Sequence, residues 1–268
     1  MTAPDGASAG TASIARICNY LLGGKDNRAA DREIATRVLE LCPAAAACAA
    51  SSRLYLRRAI RQAAQDGITQ FLDLGCGFPA PADSPAATDT HVVAGPDAKV
   101  AYVDIDELVT VHARALMKGP DVTAFTADLR DVDAVLRECA EARFAFTRPA
   151  CLILGSVLHF MSPEQAREAV AAYVSRLAPG SRVIITVRCC DDPVLSARLA
   201  KVYAPAALHG YGMSEVESLF GGLELACPGV ERVTGLREAG EQKAELYMAC
   251  GTGLVKAGRE LRNFPARP

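Results

Sequence analysis

The sequence predicts a doubly wound α/β fold: a mainly parallel, seven-stranded sheet with helices on both faces and a helical extension at its N-terminus. From residue 68 onward, short β-branched and apolar runs alternate with helix-like segments. The runs are continuously apolar rather than alternating, as in strands buried on both faces. Before residue 68 there are no such runs, only Ala-rich stretches with helical spacing. The chain therefore divides into a helical lid with a disordered start (1–66), an α/β core (67–254) and a polar tail (255–268).

The first dozen residues, rich in Ala, Gly and Ser, are expected to be disordered. A helix from Ser13 to about Leu22 stops at Gly23-Gly24. A second runs from about Ala29 to Leu41 and ends at Cys42-Pro43. A third, Ala44 to about Asp66, closes at Gly67. On it Arg53, Arg57 and Arg61 share one face, opposite Leu56, Ile60 and Ala63. That stripe is either a solvated face or a holder of an anionic partner. Strands follow at Thr69–Leu74, Lys99–Asp104, Val122–Phe125, Ala150–Gly155, Ser181–Val187 and Glu245–Cys250, with a weaker one near Leu223–Ala226. Helices are expected at Glu107–Met117, Asp131–Glu141, Pro163–Leu177, Pro193–Val202 and Met213–Phe220. Ser162-Pro163 is a cap-then-proline start, and Ser214 with Glu217 has capping-box spacing.

Composition narrows the function. Among 268 residues, 29 Lys and Arg face 31 Asp and Glu, a net charge of −2 with no basic block, which argues against a nucleic-acid binder. No apolar stretch is long enough to span a membrane, and MTAPDGASAG lacks the features of a signal peptide. The ten cysteines form no CxxC and no Cys/His cluster at zinc spacing, so free thiols, no metal and a reducing cytoplasmic setting are expected. The oligomeric state is open, a homodimer being one option.

In such a sheet the ligand lies beyond the carboxyl ends of the strands. The first strand ends in Asp73-Leu74-Gly75-Cys76-Gly77, where two glycines allow a tight turn and close backbone approach. Alone, GxG serves a structural turn as readily as a binding loop; the third glycine of a dinucleotide fingerprint is missing. The second strand ends at Asp104, an acid able to accept two ribose hydroxyls, 27 residues after Gly77, so the first crossover carries an insertion. The third is followed by Asp128-Leu129, where a carboxylate can accept from an exocyclic amine. The fourth ends in Gly155-Ser156-Val157-Leu158-His159-Phe160. Each acid alone is a plausible helix cap; three at successive strand tips point to a nucleoside site.

DLGCG, VDID, ADL and LHF together resemble the Rossmann-like class of S-adenosylmethionine-dependent methyltransferases. SIARICNYLLGGKDNRAADREIATRVL, residues 13–39, resembles one actinomycete family, formerly a domain of unknown function and now termed S-adenosyl methyltransferase. The resemblance runs from about Ser13 to Gly251. It implies S-adenosyl-L-methionine as cofactor, with Asp73, Gly75, Cys76 and Gly77 around its methionine part. Asp104, with Ile105 beside it, would take the ribose; Asp128 and Leu129 the adenine; and Ser156 the sulfonium end. The N-terminal helices would form a lid, with Tyr20, Lys25, Asp26 and Asn27 facing inward, although a helix–helix turn also accounts for Gly23–Asn27.

Departures from the family pattern include Cys18 and Asn19, where a tyrosine and an acid are usual, the Pro-, Ala- and Asp-rich segment 78–91, and AALHGYGM near 206–213. His209 is the preferred base or substrate anchor, with Tyr20 or Tyr211 as hydroxyl partner; an ordinary loop histidine is the competing reading. Asp26, Asn27, His159 and Tyr211 are the expected acceptor contacts. The acceptor is expected to be a small molecule of specialised metabolism, methylated at carbon, nitrogen or oxygen, an indole being one candidate. Alternatives are a non-catalytic S-adenosylmethionine sensor, an RNA or protein methyltransferase, and a nicotinamide-dependent reductase.

Overall fold

The computed structural model describes residues 12–79, 89–234 and 245–256. The start expected to be disordered and most of the polar tail lie outside these residues, as does most of the 78–91 segment. Three helices come first: α1 (Ile14–Leu21), α2 (Ala29–Leu41) and α3 (Ala45–Gln65). The core then runs β1 (Gln70–Leu74), α4 (Thr90–Ala94), β2 (Lys99–Asp104), α5 (Glu107–Leu116), β3 (Val122–Thr126), α6 (Val132–Glu141) and β4 (Cys151–Gly155). After a 3-10 turn at Leu158–Phe160 come α7 (Pro163–Val174), β5 (Arg182–Cys190), α8 (Pro193–Tyr203), α9 (Met213–Ser218), β6 (Glu224–Leu225), β7 (Glu231–Val233) and β8 (Leu246–Leu254).

The strand order is β3-β2-β1-β4-β5-β8-β6, with β7 also pairing with β8. β1 to β5 are parallel, and β8 runs antiparallel to β5. The order reverses between β1 and β4, which places the ligand crevice beyond the tips of those strands. Among the described residues there are eight strands where seven are expected. β7 is the addition: Glu-Arg-Val is half-buried and carries no apolar run, so only pairing with β8 defines it. β5 and β8 also outrun their apolar stretches, because they pair along their whole length, from Arg182↔Leu254 to Cys190↔Leu246.

Each face of the sheet has its own core. Ile184 points into the side covered by α1, α2, α3, α5 and α8. Val183, Ile185, Val187 and Cys189 point into the side covered by α6, α7 and α9. Strand alternation therefore turns Thr186 and Arg188 toward the N-terminal helices. α3 lies along that face: Cys48 Sγ donates to the Leu246 carbonyl, Ser52 Oγ lies 2.8 Å from Thr186 Oγ1, and Tyr55 Oη 3.2 Å from Thr252 Oγ1. Gly155 has no side chain because a Cβ there would come 2.6 Å from Leu56 Cδ1.

One buried carboxylate organises α1 and α2. Asp31 accepts from the Ser13 N–H (2.8 Å), the Arg28 N–H (2.7 Å) and Arg16 Nε (2.8 Å). Burial alone would raise its pKa, but these donors and the Arg16 charge hold it below the usual aspartate value. At α7 the expected cap is present, Ser162 Oγ accepting from the Gln165 N–H. At α9 the expectation is corrected. Ser214 lies inside the helix; Gly212, two residues earlier, is the cap, and its N–H donates to Glu215 Oε2 at 2.6 Å. Among the described residues no single helix is long and apolar enough to cross a membrane; α2 and α3 meet at a 101° bend.

Candidate active site

β1 delivers the chain into a turn that only glycine tolerates twice. Gly75 and Gly77 have φ of 69° and 66°, in the left-handed region. A Cβ on Gly75 would come 2.5 Å from Val157 Cγ2, so the turn also depends on close approach to the tip of β4. The Gly75 and Cys76 N–H groups both donate to the Val103 carbonyl, at 2.8 and 3.2 Å.

Asp104, at the tip of β2, completes the turn. Its Oδ2 accepts from the Gly77 N–H and its Oδ1 from the Asp106 N–H, both at 3.0 Å. Each oxygen keeps a further lone pair for a ligand hydroxyl. Burial raises the pKa of this carboxyl, against the pull of those amides. Asp106 in turn caps α5 through the Leu108 N–H (2.9 Å) and accepts from Ser13 Oγ at 2.7 Å, joining the start of α1 to the tip of β2. Ile105 between them is 54% exposed, an apolar surface at the edge of the site.

Asp73 is held differently. Its Oδ2 accepts from Thr90 Oγ1 of α4 at 2.6 Å, and burial pushes its pKa up to about 6, partly offset by Thr90 and the Arg53 charge. Arg53 itself stands over the turn: a Cβ on Gly77 would lie 3.5 Å from its Nη2. Its charge also acts on Cys76 and on Cys18 of α1. The arginine stripe of α3 thus splits, for Arg61 is exposed while Arg53 faces the turn; Arg58, outside the stripe, pairs with Glu231 at 3.2 Å. A shared helical face could not reveal this, because only the docking of α3 separates one arginine from the next.

At the tip of β3, Asp128 is paired within its own loop. Its oxygens accept from Arg130 Nε at 2.9 Å and Nη2 at 2.5 Å, and the Arg130 N–H adds a bond at 2.9 Å. Burial would raise its pKa, but Arg130 brings it below the usual value. The carbonyl of Leu129 accepts from Tyr173 Oη at 2.8 Å.

At the tip of β4, Ser156 adopts φ 57°, in the left-handed region. Its N–H donates to the carbonyl and the hydroxyl of Thr186, and its Oγ lies 2.8 Å from Ser52 Oγ. Ser52, Ser156 and Thr186 form a hydroxyl cluster joining α3, β4 and β5. Two residues past Thr186, the Arg188 N–H donates to His159 Nδ1 at 3.3 Å, so the imidazole proton sits on Nε2. Burial, with the Arg188 charge, pushes the His159 pKa well below its ordinary value, leaving the ring neutral.

Several expected contacts lie elsewhere. Lys25 and Asp26 are exposed rather than inward-facing. Asn27 is occupied by the turn, its Nδ2 donating to Asn19 Oδ1 (3.0 Å) and to the Gly24 carbonyl (2.8 Å). Gly24 packs so tightly on Asn19 that a Cβ there would come 2.3 Å from its Nδ2. The helix–helix turn therefore accounts for these residues. Tyr211 is 1% exposed on the opposite side of the sheet, its Oη within 3.1 Å of the Leu158 carbonyl and 3.0 Å of the Met161 carbonyl. It holds the loop after β4 and cannot face an acceptor.

Tyr20 is half-buried against the core under α1. His209 meets the site through its main chain: its N–H donates to the His159 carbonyl at 2.9 Å, and its carbonyl accepts from Arg188 Nη2 at 3.4 Å. Its ring is within electrostatic range of the exposed Glu164. His91 and His112 stand apart, one on Tyr102 Oη at 2.9 Å, the other on the Leu108 carbonyl. Among the described residues no group of three or more His, Cys, Asp or Glu could hold a metal ion.

The arrangement offers a backbone cradle at Gly75–Gly77, a buried acid at Asp104 with ligand-facing lone pairs, a cation at Arg53 and an apolar surface at Ile105. That donor set suits an amino-acid-bearing nucleoside, with a carboxylate for Arg53 and hydroxyls for Asp104.

Comparison with known proteins agrees. The profile of a family described as S-adenosyl methyltransferase matches residues 2–256. A crystal structure from Thermobifida fusca, assigned as a methyltransferase, shares 37% identity and a TM-score of 0.79, covering 92% of this chain and 96% of that one. A DUF574 family protein from Streptomyces avermitilis shares 28% identity and a TM-score of 0.78, covering 91% and 97%. Magnesium protoporphyrin IX methyltransferase from Synechocystis PCC 6803, solved with bound SAH, is 16% identical at a TM-score of 0.51, over 89% and 92% of the two chains, a likeness of fold that places the sheet among Rossmann-like methyltransferases. No curated protein matches the chain.

Proposed function

The chain belongs to the S-adenosyl methyltransferase family, with S-adenosylmethionine as cofactor, and from that premise we propose that it methylates a small-molecule acceptor held between the strand tips and the α1–α3 layer. The observation that carries this reading is the Gly77–Asp104 closure beneath Arg53, in a crevice roofed by the helices that Asp31 ties together.

The proposed roles follow from the geometry. Asp104 accepts the ribose hydroxyls, and the adenine packs against Ile105. Arg53 pairs with the cofactor carboxylate over the Gly75–Cys76–Gly77 turn, with Asp73 near the ammonium. Asp128 has lone pairs left for the exocyclic amine, and Ser156 flanks the sulfonium end. The cofactor supplies a methyl group already activated by its sulfonium. The chain has to align the acceptor in line with that methyl group, exclude water and receive a proton where the acceptor carries one. His159, neutral and protonated on Nε2, positions through that N–H. His209 is the proposed proton acceptor with Tyr20 as hydroxyl partner, its main chain fixed by His159 and Arg188. A net charge of −2 without a basic block favours a small acceptor over nucleic acid.

Calorimetry with S-adenosylmethionine and NADPH, followed by incubation of methyl-labelled cofactor with a deproteinised extract of the source organism, tests the proposal. Binding of S-adenosylmethionine alone and one labelled small product are expected. Tight binding without transfer would favour a sensing role. In an active preparation His209→Ala should lower turnover with little change in cofactor affinity; an unchanged rate would remove it from the proton path.

A further inference from the structure

Arg188 is the least satisfied charged group at the site. Among the described residues its Nε and Nη1 are buried without a hydrogen-bond partner, and its Nη2 reaches only the His209 carbonyl, at 3.4 Å. Among the described residues the leading groups acting on it are Tyr203, Cys190, Cys189 and Cys42, none of them a carboxylate. Burial lowers its pKa, and no acid among the leading described groups restores it. A guanidinium with most of its donors unspent in a buried site is destabilising unless something binds there.

Its position suggests what binds. Arg188 lies on β5 two residues beyond Thr186, whose hydroxyl holds Ser156 at the tip of β4. The alternation of β5 turns it under the N-terminal helices, on the side of the crevice away from β2 and Asp104. Arg53, over the Gly77 turn, already serves the cofactor carboxylate in the proposed arrangement. Around Arg188 the surface is aromatic: the Phe160 ring centroid lies 5.9 Å from that of Tyr203 and 4.5 Å from that of His159.

We propose that Arg188 anchors the methyl acceptor by pairing with a carboxylate that the acceptor carries. The guanidinium fork matches a carboxylate in two parallel N–H···O bonds, given by Nη2 together with either Nε or Nη1, and Nη2 has a second N–H besides the one directed at the His209 carbonyl. A single guanidinium beside a neutral His159 matches a monoanion better than a phosphate dianion. The aromatic rings beside it favour a planar body on the acid. The inference rests on the crevice being the acceptor pocket of an S-adenosylmethionine-dependent methyltransferase.

The test titrates wild type and Arg188→Gln, both saturated with SAH, with benzoate, 2-aminobenzoate, phenylacetate and indole-3-acetate, each against its own primary amide and against phenyl phosphate. Wild type should prefer at least one acid to its amide by on the order of tenfold or more. Arg188→Gln should lose that preference while holding SAH as wild type does. No acid preferred to its amide, a preference that survives Arg188→Gln, or preference for phenyl phosphate would each overturn the proposal. Failure of wild type to bind SAH would instead overturn the cofactor site. A second variant separates ligand anchor from structural pair: Arg188→Met, which removes an uncompensated charge, should leave the ligand-free thermal midpoint unchanged or higher. A fall of the size seen when one half of a buried ion pair is deleted would make Arg188 structural and sink the idea.

Discussion

The backbone N–H of Gly77 donates to Oδ2 of Asp104 across 3.0 Å, so one carboxylate both closes the turn after β1 and faces the crevice at the tip of β2. Asp104→Asn replaces an acceptor-only group with one that must aim an NH2 at a backbone donor, either Gly77 or Asp106. SAH affinity should fall by roughly tenfold or more, on the order of one charge-assisted hydrogen bond. Calorimetry reads it directly, and an unchanged affinity would mean that the ribose is held elsewhere.

Gly75 meets two constraints at once, a φ of 69° and a neighbour 2.5 Å from where its Cβ would be. Gly75→Ala should lower stability by about 2–4 kcal/mol, combining left-handed strain with overpacking. The neighbour is Val157, so Gly75→Ala with Val157→Ala should recover the steric part and leave the backbone part. Gly23→Ala is the control: at φ 79° with nothing within 4 Å, only the backbone part should appear. Urea unfolding of wild type, Gly75→Ala, Val157→Ala and the double variant gives the coupling; strictly additive effects would exclude the contact.

Asp73 should make ligand binding depend on pH. Burial raises its pKa in the folded protein to about 6. A raised carboxyl favours the folded state most below its unfolded value near 4, and that advantage is lost as pH rises through about 6. A ligand ammonium prefers the ionised form, so SAH should bind more tightly as pH rises from about 5 to 7. In Asp73→Asn the dependence should flatten. A wild-type profile level across that range would place the ammonium away from Asp73.

The Arg16–Asp31 pair is fully enclosed, at 2.8 Å with side chains 3% and 0% exposed. Asp31→Ala leaves a buried guanidinium and two backbone donors without their acceptor, so a loss of about 3–5 kcal/mol is expected. Amide hydrogen exchange should quicken first in α1 and α2. Because the Asp31 pKa is depressed in the folded protein, its stabilisation is present at neutral pH and is lost as pH falls below the ordinary aspartate range. Exchange unchanged in α1 would show that the pair does not hold the roof.

Tyr211 separates a structural tyrosine from a substrate contact. Tyr211→Phe removes the hydrogen bond that its hydroxyl shares between the Leu158 and Met161 carbonyls and should reduce stability by about 1 kcal/mol. SAH affinity should not move. A variant as stable as wild type would leave the burial of that hydroxyl without a purpose.

Local pattern made much of the architecture legible. The bounds of α2 and β2 coincide with those expected, because each has a clear periodicity and a clear stop. β7 was not legible, since a polar three-residue strand is defined by its partner rather than by its residues. In the site, the glycines and Asp104 stood out because strand-tip chemistry is nearly local. His209 and Tyr211 stood out only as unusual residues, and the structure separates them, one with its main chain at the crevice and the other in the opposite core. Arg53 was visible as part of a stripe, and Arg188 lies just beyond the apolar run Ser181–Val187.

By itself the sequence determined the alternation of strands and helices, the glycine turn and the acids at the strand tips, because each depends on a few adjacent residues. Only the tertiary structure decided which side chains share the crevice. Docking α3 across β4 and β5 places Arg53 over Gly77, and the alternation of β5 turns Arg188 under the same roof. Whether a buried guanidinium finds a carboxylate depends on residues far away in the chain, and for Arg188 none arrives among the described residues.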